Sequence, residues 1–173
     1  MLSYTKPLYI LAFDHRSSFT KLVGVVDREP TEQEREKVRH LKRMIFTGFN
    51  KALASEEIAK DEAAILVDED SGTEVANAAK QEGVTLLMPT EKSGEKEYVF
   101  EYGDDFAEHI TKFDPNFVKV LVRYNIEDDV ELNKRQAEKL KLLSNWCVEN
   151  GKMFLFELLV PATEEQMEKV EGD

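Results

Sequence analysis

Residues 117–125 read FVKVLVRYN, an apolar run that ends in charged and polar residues. Four further runs have the same form: YILAFDHR at 9–16, AAILVDED at 63–70, VTLLMPTEKSG at 84–94 and MFLFELLVPAT at 153–163. Parallel strands of an α/β sheet are buried on both faces, so they read as nearly continuous Val, Ile and Leu. Functional side chains collect at the carboxyl ends of such strands. The sequence therefore predicts five parallel strands with a shared site at those ends.

Helical patterns alternate with the five predicted strands. The first helix is predicted to begin at Thr31, whose spacing from Glu34 matches a capping box. Further helices are predicted at about 73–81, 104–113 and 128–149 and from about 163, with a hairpin or irregular loop at 95–103. Strict alternation of strands and helices indicates a single α/β domain that covers residues 1–173.

Charged residues inside the predicted strands separate two possible architectures. Lys119 and Arg123 share one face of their strand, and Glu157 lies inside the last strand. An unpaired buried charge is very costly, and helices on both faces of an open doubly wound sheet leave little room for one. In a barrel, the charged faces converge on one lumen and neutralise one another. Length favours the open sheet, since barrels usually need about 250 residues. The charges favour an α/β TIM barrel truncated to about its first five βα units.

Composition excludes several classes of function. The 173 residues carry a formal net charge of −12, from 35 acidic and 23 basic residues, which disfavours nucleic acid and anionic membranes as partners. No apolar stretch reaches about 18 residues, so no transmembrane helix is expected. The N-terminal apolar run is too short and too charged for a secretory signal. The single cysteine, Cys147, predicts a buried, unreactive thiol in a cytoplasmic protein.

Five ordered motifs resemble one known family. They are FDHR at 13–16, DED at 68–70, EKSG at 91–94, KVLVRYN at 119–125 and FELLVPAT at 156–163. Together they resemble the aldolase-like C-terminal domain of 5-dehydro-2-deoxygluconokinase from bacterial myo-inositol catabolism, a domain of unknown function. More distantly, they are similar to class I tagatose-1,6-bisphosphate aldolases. The resemblance covers nearly the whole chain. It implies a TIM-barrel lyase that cleaves a phosphorylated keto-deoxy sugar acid through a Schiff base, without a cofactor or metal.

The resemblance also implies roles for individual residues. Three catalytic residues are implied: Asp14, Lys119 and Glu157. Five substrate-binding residues are implied: Arg16, Glu69, Glu91, Lys92 and Arg123. Glu157 is the carboxylate expected to move protons in this class I mechanism, with Lys119 as its electrostatic partner. The acidic triplet at 68–70, which contains Glu69, could equally cap the helix that follows it.

Two alternatives stay open at the level of the sequence. In the families it resembles, the Schiff-base lysine lies on strand six and the phosphate is usually held after strands seven and eight. The chain is therefore expected to be incomplete: it would bind a ligand, self-associate, or need a complementing polypeptide at its open sheet edges. Alternatively, four carboxylates could serve a metal-dependent lyase: Asp14, Asp68, Asp70 and Glu91.

Overall fold

Five parallel strands form one sheet in a computed structural model that describes residues 4–55 and 58–171. Neighbours in sequence are neighbours in the sheet, in the order β1-β2-β3-β4-β5. The strands are β1 (Tyr9–Ala12), β2 (Ala63–Leu66), β3 (Thr85–Pro89), β4 (Phe117–Arg123) and β5 (Met153–Leu159). A doubly wound sheet reverses its strand order at a switch point. The sequential order here therefore excludes the open doubly wound alternative.

Six α-helices are found in the described part of the chain. They are α1 (Ser17–Leu22), α2 (Glu32–Leu53), α3 (Glu69–Glu82), α4 (Phe106–Phe113), α5 (Val130–Glu149) and α6 (Glu164–Glu171). The predicted capping box of α2 is confirmed, because the side chain of Thr31 accepts from the Glu34 amide and Glu34 accepts from the Thr31 amide. The short helix α1 was not predicted. Helix α3 begins four residues earlier than predicted, because the Asp68 carboxylate accepts from the Ser71 amide and caps it.

The two faces of the sheet have different partners. The outer face packs against the helices; in β4 it presents Val118, Val120 and Val122 to Leu143 and Cys147 of α5. The inner face carries a smaller apolar cluster of Ala64, Leu66, Leu87 and Phe117, with Leu8, Met153 and Leu155 packed against it. No helix of the described residues takes part in that inner cluster. The helices therefore lie outside the sheet, and its inner face surrounds an open space.

The sheet is strongly curled. Lys119 in β4 contacts Asp14, which follows β1, although three strand spacings separate these strands. At about 4.8 Å per spacing, a flat sheet would hold β1 and β4 about 14 Å apart, further than these side chains bridge. The five strands consequently form a curled half-barrel. This confirms an α/β fold with a five-stranded parallel sheet.

The segment between β3 and α4 folds back over the inner face as a small hairpin. Glu91 and Phe100 form an antiparallel bridge, and the Lys92 amide donates to the Val99 carbonyl over 2.9 Å. Glu97 anchors the hairpin to α5 through Arg135 and Lys139. The sequence left 95–103 open between a hairpin and an irregular loop; the structure shows a single antiparallel bridge, which begins earlier than that range, at Glu91.

Both edge strands leave apolar side chains exposed. Tyr9 of β1 is 56% exposed and Leu158 of β5 is 49% exposed, because among the described residues each of these strands has a neighbour on one side only. Within residues 4–55 and 58–171, no helix combines the length and apolar character needed to cross a lipid bilayer.

Candidate active site

A single lysine forms the centre of the concave face. Lys119 is 2% exposed, and its Nζ lies 2.8 Å from Glu91 Oε1, 3.0 Å from Glu157 Oε2 and 3.1 Å from Asp14 Oδ2. Strand alternation explains its direction, since its neighbours in β4 point outward to α5. Lys119 and Glu157 therefore lie on the same side of the sheet, as the sequence predicted. Carboxylates from three strands or strand ends meet one ammonium group.

The surroundings of Lys119 keep it positively charged. Burial by itself lowers the pKa of the ammonium, but the nearby Glu91 and Asp14 carboxylates outweigh that effect and raise the pKa above its usual 10.5. A lysine that attacks a carbonyl must lose its proton, which requires a lowered pKa. Lys119 is consequently suited to hold and orient carboxylates, and its environment opposes a role as the nucleophile.

The three carboxylates around Lys119 differ in how freely they can meet a ligand. Both oxygens of Glu91 are engaged, because Oε2 also accepts from the Leu121 amide over 3.2 Å. The side chain of Glu91 is 10% exposed and that of Asp14 is 13% exposed, whereas that of Glu157 is 46% exposed. Glu157 is therefore the carboxylate most accessible to a molecule in the cavity.

Arg16 joins the loop after β1 to the hairpin after β3. Its Nη1 donates to Glu101 Oε2 over 2.5 Å, and its Nη2 donates to the Glu91 carbonyl over 2.7 Å. The same guanidinium lies 3.8 Å from the Glu91 carboxylate, so it adds positive charge behind this acid. These contacts place Arg16 in the wall of the site.

The concave face encloses a cavity of about 270 Å³. The hairpin segment 91–98 forms one wall, and Lys119, Leu121 and Glu157 line the floor. Two cations lie at its rim: Lys92 is paired with Glu95 at 3.3 Å, and Arg123 Nη1 donates to the Glu95 carbonyl over 3.0 Å. Ligand pockets for drug-sized molecules start at about 300 Å³, so this volume suits a small metabolite.

The structure brings together seven of the eight residues that the sequence singled out. They all line this cavity: Asp14, Arg16, Glu91, Lys92, Lys119, Arg123 and Glu157. Glu69 does not line it. As the first residue of α3 it turns toward α4, where its oxygens lie 2.7 Å from His109 Nδ1 and 2.8 Å from Lys112 Nζ. The sequence could not give this direction, because His109 and Lys112 lie 40 and 43 residues further along the chain.

The structure also shows a buried ion pair that sequence reasoning missed. Lys42 of α2 is fully buried and pairs with Asp68, at the carboxyl end of β2. A signal was present: Lys42 lies four residues after Val38 and four before Phe46, both of them buried on the inward face of α2. Met44 of the same helix, by contrast, is 57% exposed.

The carboxylates proposed for a metal site are not gathered together. Asp14 and Glu91 contact Lys119, Asp68 contacts Lys42, and Asp70 lies 3.9 Å from Arg35. Across residues 4–55 and 58–171, no group of three or more His, Cys, Asp or Glu side chains has a metal-binding arrangement. The geometry of the described residues gives no support to the metal-dependent alternative.

Comparison with known proteins gives distant relatives and a family. The chain is 27% identical over 154 residues to tagatose 1,6-diphosphate aldolase 2 of Enterococcus faecalis, across 86% of this chain and 43% of that protein. It is 26% identical to the tagatose 1,6-diphosphate aldolases of Staphylococcus haemolyticus and Lactococcus lactis, across 86% of this chain and 44% of each. The chain therefore spans less than half the length of these relatives. A family described as uncharacterized protein conserved in bacteria (DUF2090) matches residues 3–172, and the chain belongs to that family.

Proposed function

We propose that this chain is an aldolase-like domain whose general acid–base residue is Glu157. The observation that carries the proposal is the accessible Glu157 carboxylate, held 3.0 Å from the Lys119 ammonium in a cavity at the carboxyl ends of parallel strands. The distant similarity to proteins named tagatose 1,6-diphosphate aldolase supports the same class of reaction. A curled half-barrel with helices outside is also what the first five units of a TIM barrel would form.

In retro-aldol cleavage, such a carboxylate would serve as the general base. The base removes the proton from the hydroxyl on one side of the bond to be broken. The carbon–carbon bond then breaks, an aldehyde forms on that side, and the bonding electrons pass to the other fragment. In a class I mechanism those electrons are accepted by a protonated Schiff base between the substrate carbonyl and a lysine. The same carboxylate, now protonated, can return the proton to the second fragment.

The charge balance of the site agrees with a cationic intermediate. Three carboxylates surround one ammonium, so this cluster carries an excess of two negative charges when all four groups are ionised. An iminium ion or a second ammonium group beside Glu157 would reduce that excess. Lys119 is held in its charged form, so we infer that the reacting amine belongs to a different lysine.

The cations at the rim fit an anionic group on the substrate. Arg123 and Lys92 lie at the outer part of the cavity, where a phosphate or carboxylate could reach both. The negatively charged floor instead favours hydroxyl groups. We therefore propose a phosphorylated keto-deoxy sugar acid as the substrate, in the manner of the inositol-catabolic aldolase-like domain that the sequence resembles.

The test compares Glu157→Gln with Glu138→Gln in assays of tagatose 1,6-diphosphate and phosphorylated keto-deoxy acids. Glu157→Gln keeps an oxygen for Lys119 but removes the base, so kcat should fall by about 100-fold to 10,000-fold with little change in KM. Glu138 is an exposed residue of α5, and Glu138→Gln should leave both constants unchanged. Borohydride should trap a covalent adduct only when substrate is present. Full activity of Glu157→Gln, or complete loss of activity on adding a chelator, would refute the proposal.

A second candidate is a ligand-binding chain that becomes active only when other polypeptide covers its edges. It is favoured by the exposed apolar residues of the edge strands, Tyr9 in β1 and Phe156 and Leu158 in β5. Sedimentation velocity of the chain alone should then show association that increases with concentration. A charge on the β5 edge, Phe156→Lys, should weaken it, whereas Ile126→Lys at an exposed loop position should not. Monomeric behaviour at every concentration would contradict this second candidate.

A further inference from the structure

Lys42 is a buried cation that touches the active site without lining its cavity. It extends inward from α2, is completely buried, and pairs with Asp68 Oδ1. Its Nζ also donates to the His15 carbonyl over 3.2 Å and lies 4.9 Å from the centre of the Phe19 ring. The ammonium of Lys42 therefore joins three segments: α2, the start of α3, and the loop between β1 and α1.

The His15 carbonyl is the important partner, because His15 separates two residues of the site. Asp14 contacts Lys119 on one side of it, and Arg16 contacts Glu91 and Glu101 on the other. Consecutive residues share one backbone path, so a fixed carbonyl at His15 restricts the positions of both neighbours. Loops hold fewer buried contacts than strands and helices, so each buried contact counts for more in fixing their position.

Stability alone gives a weak reason for placing a lysine here. Replacing a buried ion pair by apolar residues of similar volume is often neutral or stabilising. A buried pair on the inward face of α2 is better explained by the segments that its geometry holds together. Asp68 also accepts from the Ser71 amide, so its carboxylate is already oriented by α3 before it meets Lys42. Lys42 thereby holds the β1–α1 loop in a fixed position relative to the β2–α3 junction.

We propose that Lys42 is a positioning residue that holds Asp14 and Arg16 in the site through the His15 carbonyl. Only the kinetic part of this inference rests on the proposed function, because the order of the loop can be measured without any substrate. Each variant is made in the chain of 173 residues.

The experiment measures amide hydrogen exchange of the segment 13–20 in three variants. Lys42→Met removes the ammonium but leaves Asp68 buried without its cation. Lys42→Met combined with Asp68→Asn removes both charges and keeps an oxygen to cap α3, so this double variant is the one expected to fold well. Lys80→Met is the matched control, since Lys80 also binds a carbonyl (Phe113, 3.2 Å) and a carboxylate (Asp114, 2.9 Å), but on the far side of the molecule.

The double variant should regain much of the stability lost in Lys42→Met. Its segment 13–20 should nevertheless exchange about five- to tenfold faster than in the unmodified chain, because losing one buried hydrogen bond changes an opening equilibrium by about that factor. Lys80→Met should leave that segment unchanged. If the double variant restores slow exchange of the segment, Lys42 serves only to neutralise Asp68 and the inference is overturned. Equal acceleration in Lys80→Met would overturn it as well, because the effect would then be general.

Kinetics provides a second readout. The double variant should lower kcat about tenfold with little change in KM, as expected when a group is misplaced only slightly within the site. An unmodified chain without aldolase activity would refute the proposed function and leave the exchange result to decide the role of Lys42. Unchanged kcat together with faster exchange would show that the loop position does not matter to the reaction, and would overturn the positioning role.

Discussion

The substitution Lys119→Met tests the electrostatic centre of the site most directly. It preserves a long unbranched side chain and removes only the ammonium. Three carboxylates then face one another without the cation that each of them contacts at 2.8 to 3.1 Å. We expect a folded but clearly less stable protein.

The magnitude follows from the burial of the partners. Removing one member of a buried ion pair costs about 3–5 kcal/mol, because the other member is left without compensation. Glu91 and Asp14 are at least 87% enclosed, which fits this case, whereas Glu157 is 46% exposed and is partly compensated by water. The free energy of unfolding should therefore fall by about 3 kcal/mol, which for a chain of this length lowers Tm by about 10 °C.

The pH dependence has a definite sign. The pKa of Lys119 in the folded protein lies above its usual 10.5, so the stabilisation from its charge is fully present below about pH 10.5. It is lost as the pH rises through the folded value, where the ammonium deprotonates. The difference in unfolding free energy between the unmodified chain and Lys119→Met should be constant between about pH 7 and about pH 10 and should shrink above that range.

Urea denaturation at a series of pH values measures this difference. Lys92→Met is the control, since Lys92 is 53% exposed and pairs with Glu95 at the surface. Its effect should stay below about 1 kcal/mol at every pH. The reasoning fails if Lys119→Met costs no more than Lys92→Met, or if the difference increases at alkaline pH.

Three further predictions concern packing and protonation. Burial raises the pKa of the Cys147 thiol from 9.0 to about 11. A disulfide reagent should therefore react about 100-fold more slowly with the native chain than with the unfolded chain. Rapid labelling of the native chain would contradict this prediction. A Cβ at Gly72 would overlap the buried Val67 side chain, so calorimetry should show that Gly72→Ala lowers the free energy of unfolding by about 1–3 kcal/mol. Gly48 lies on the open side of α2, so Gly48→Ala should raise the free energy of unfolding by about 0.5–1 kcal/mol. A hydrogen bond from Arg135, aided by a second cation of α5, lowers the pKa of Glu97 from 4.5 to about 2. Glu97→Gln should therefore reduce stability above about pH 4.5, and its effect should vanish as the pH falls toward 2, which acid titration by circular dichroism can follow.

Much of the site could be predicted because its residues follow local rules. In β4, alternation alone sends Lys119 and Arg123 to the face opposite Val118 and Val120, and the structure places them there. The same rule placed Glu157 on the inner face of β5. The capping box at Thr31 was likewise readable, since both of its partners lie within one helical turn.

Other features depended on distances between segments far apart in sequence. Glu69 was predicted to bind substrate, but Asp68 takes the cap of α3 and Glu69 is turned toward His109. Helix α1 was missed because its six residues carry no buried apolar face, so its sequence gave no periodic pattern. The role of Lys42 could not be read from its own helix, because its partner Asp68 lies after β2, 26 residues further along the chain.

The order of the five strands and of the helices other than α1, and the face on which each charged residue of a strand lies, were already determined by the amino-acid sequence. The two-residue repeat of strands, the 3.6-residue repeat of helices and helix capping each act within a single element, so they do not depend on how the rest of the chain packs. Only the tertiary structure decided that Asp14 meets Lys119 and that Lys42 is buried against Asp68. Those contacts depend on how far the sheet curls and where the loops run, and both result from the packing of the whole chain.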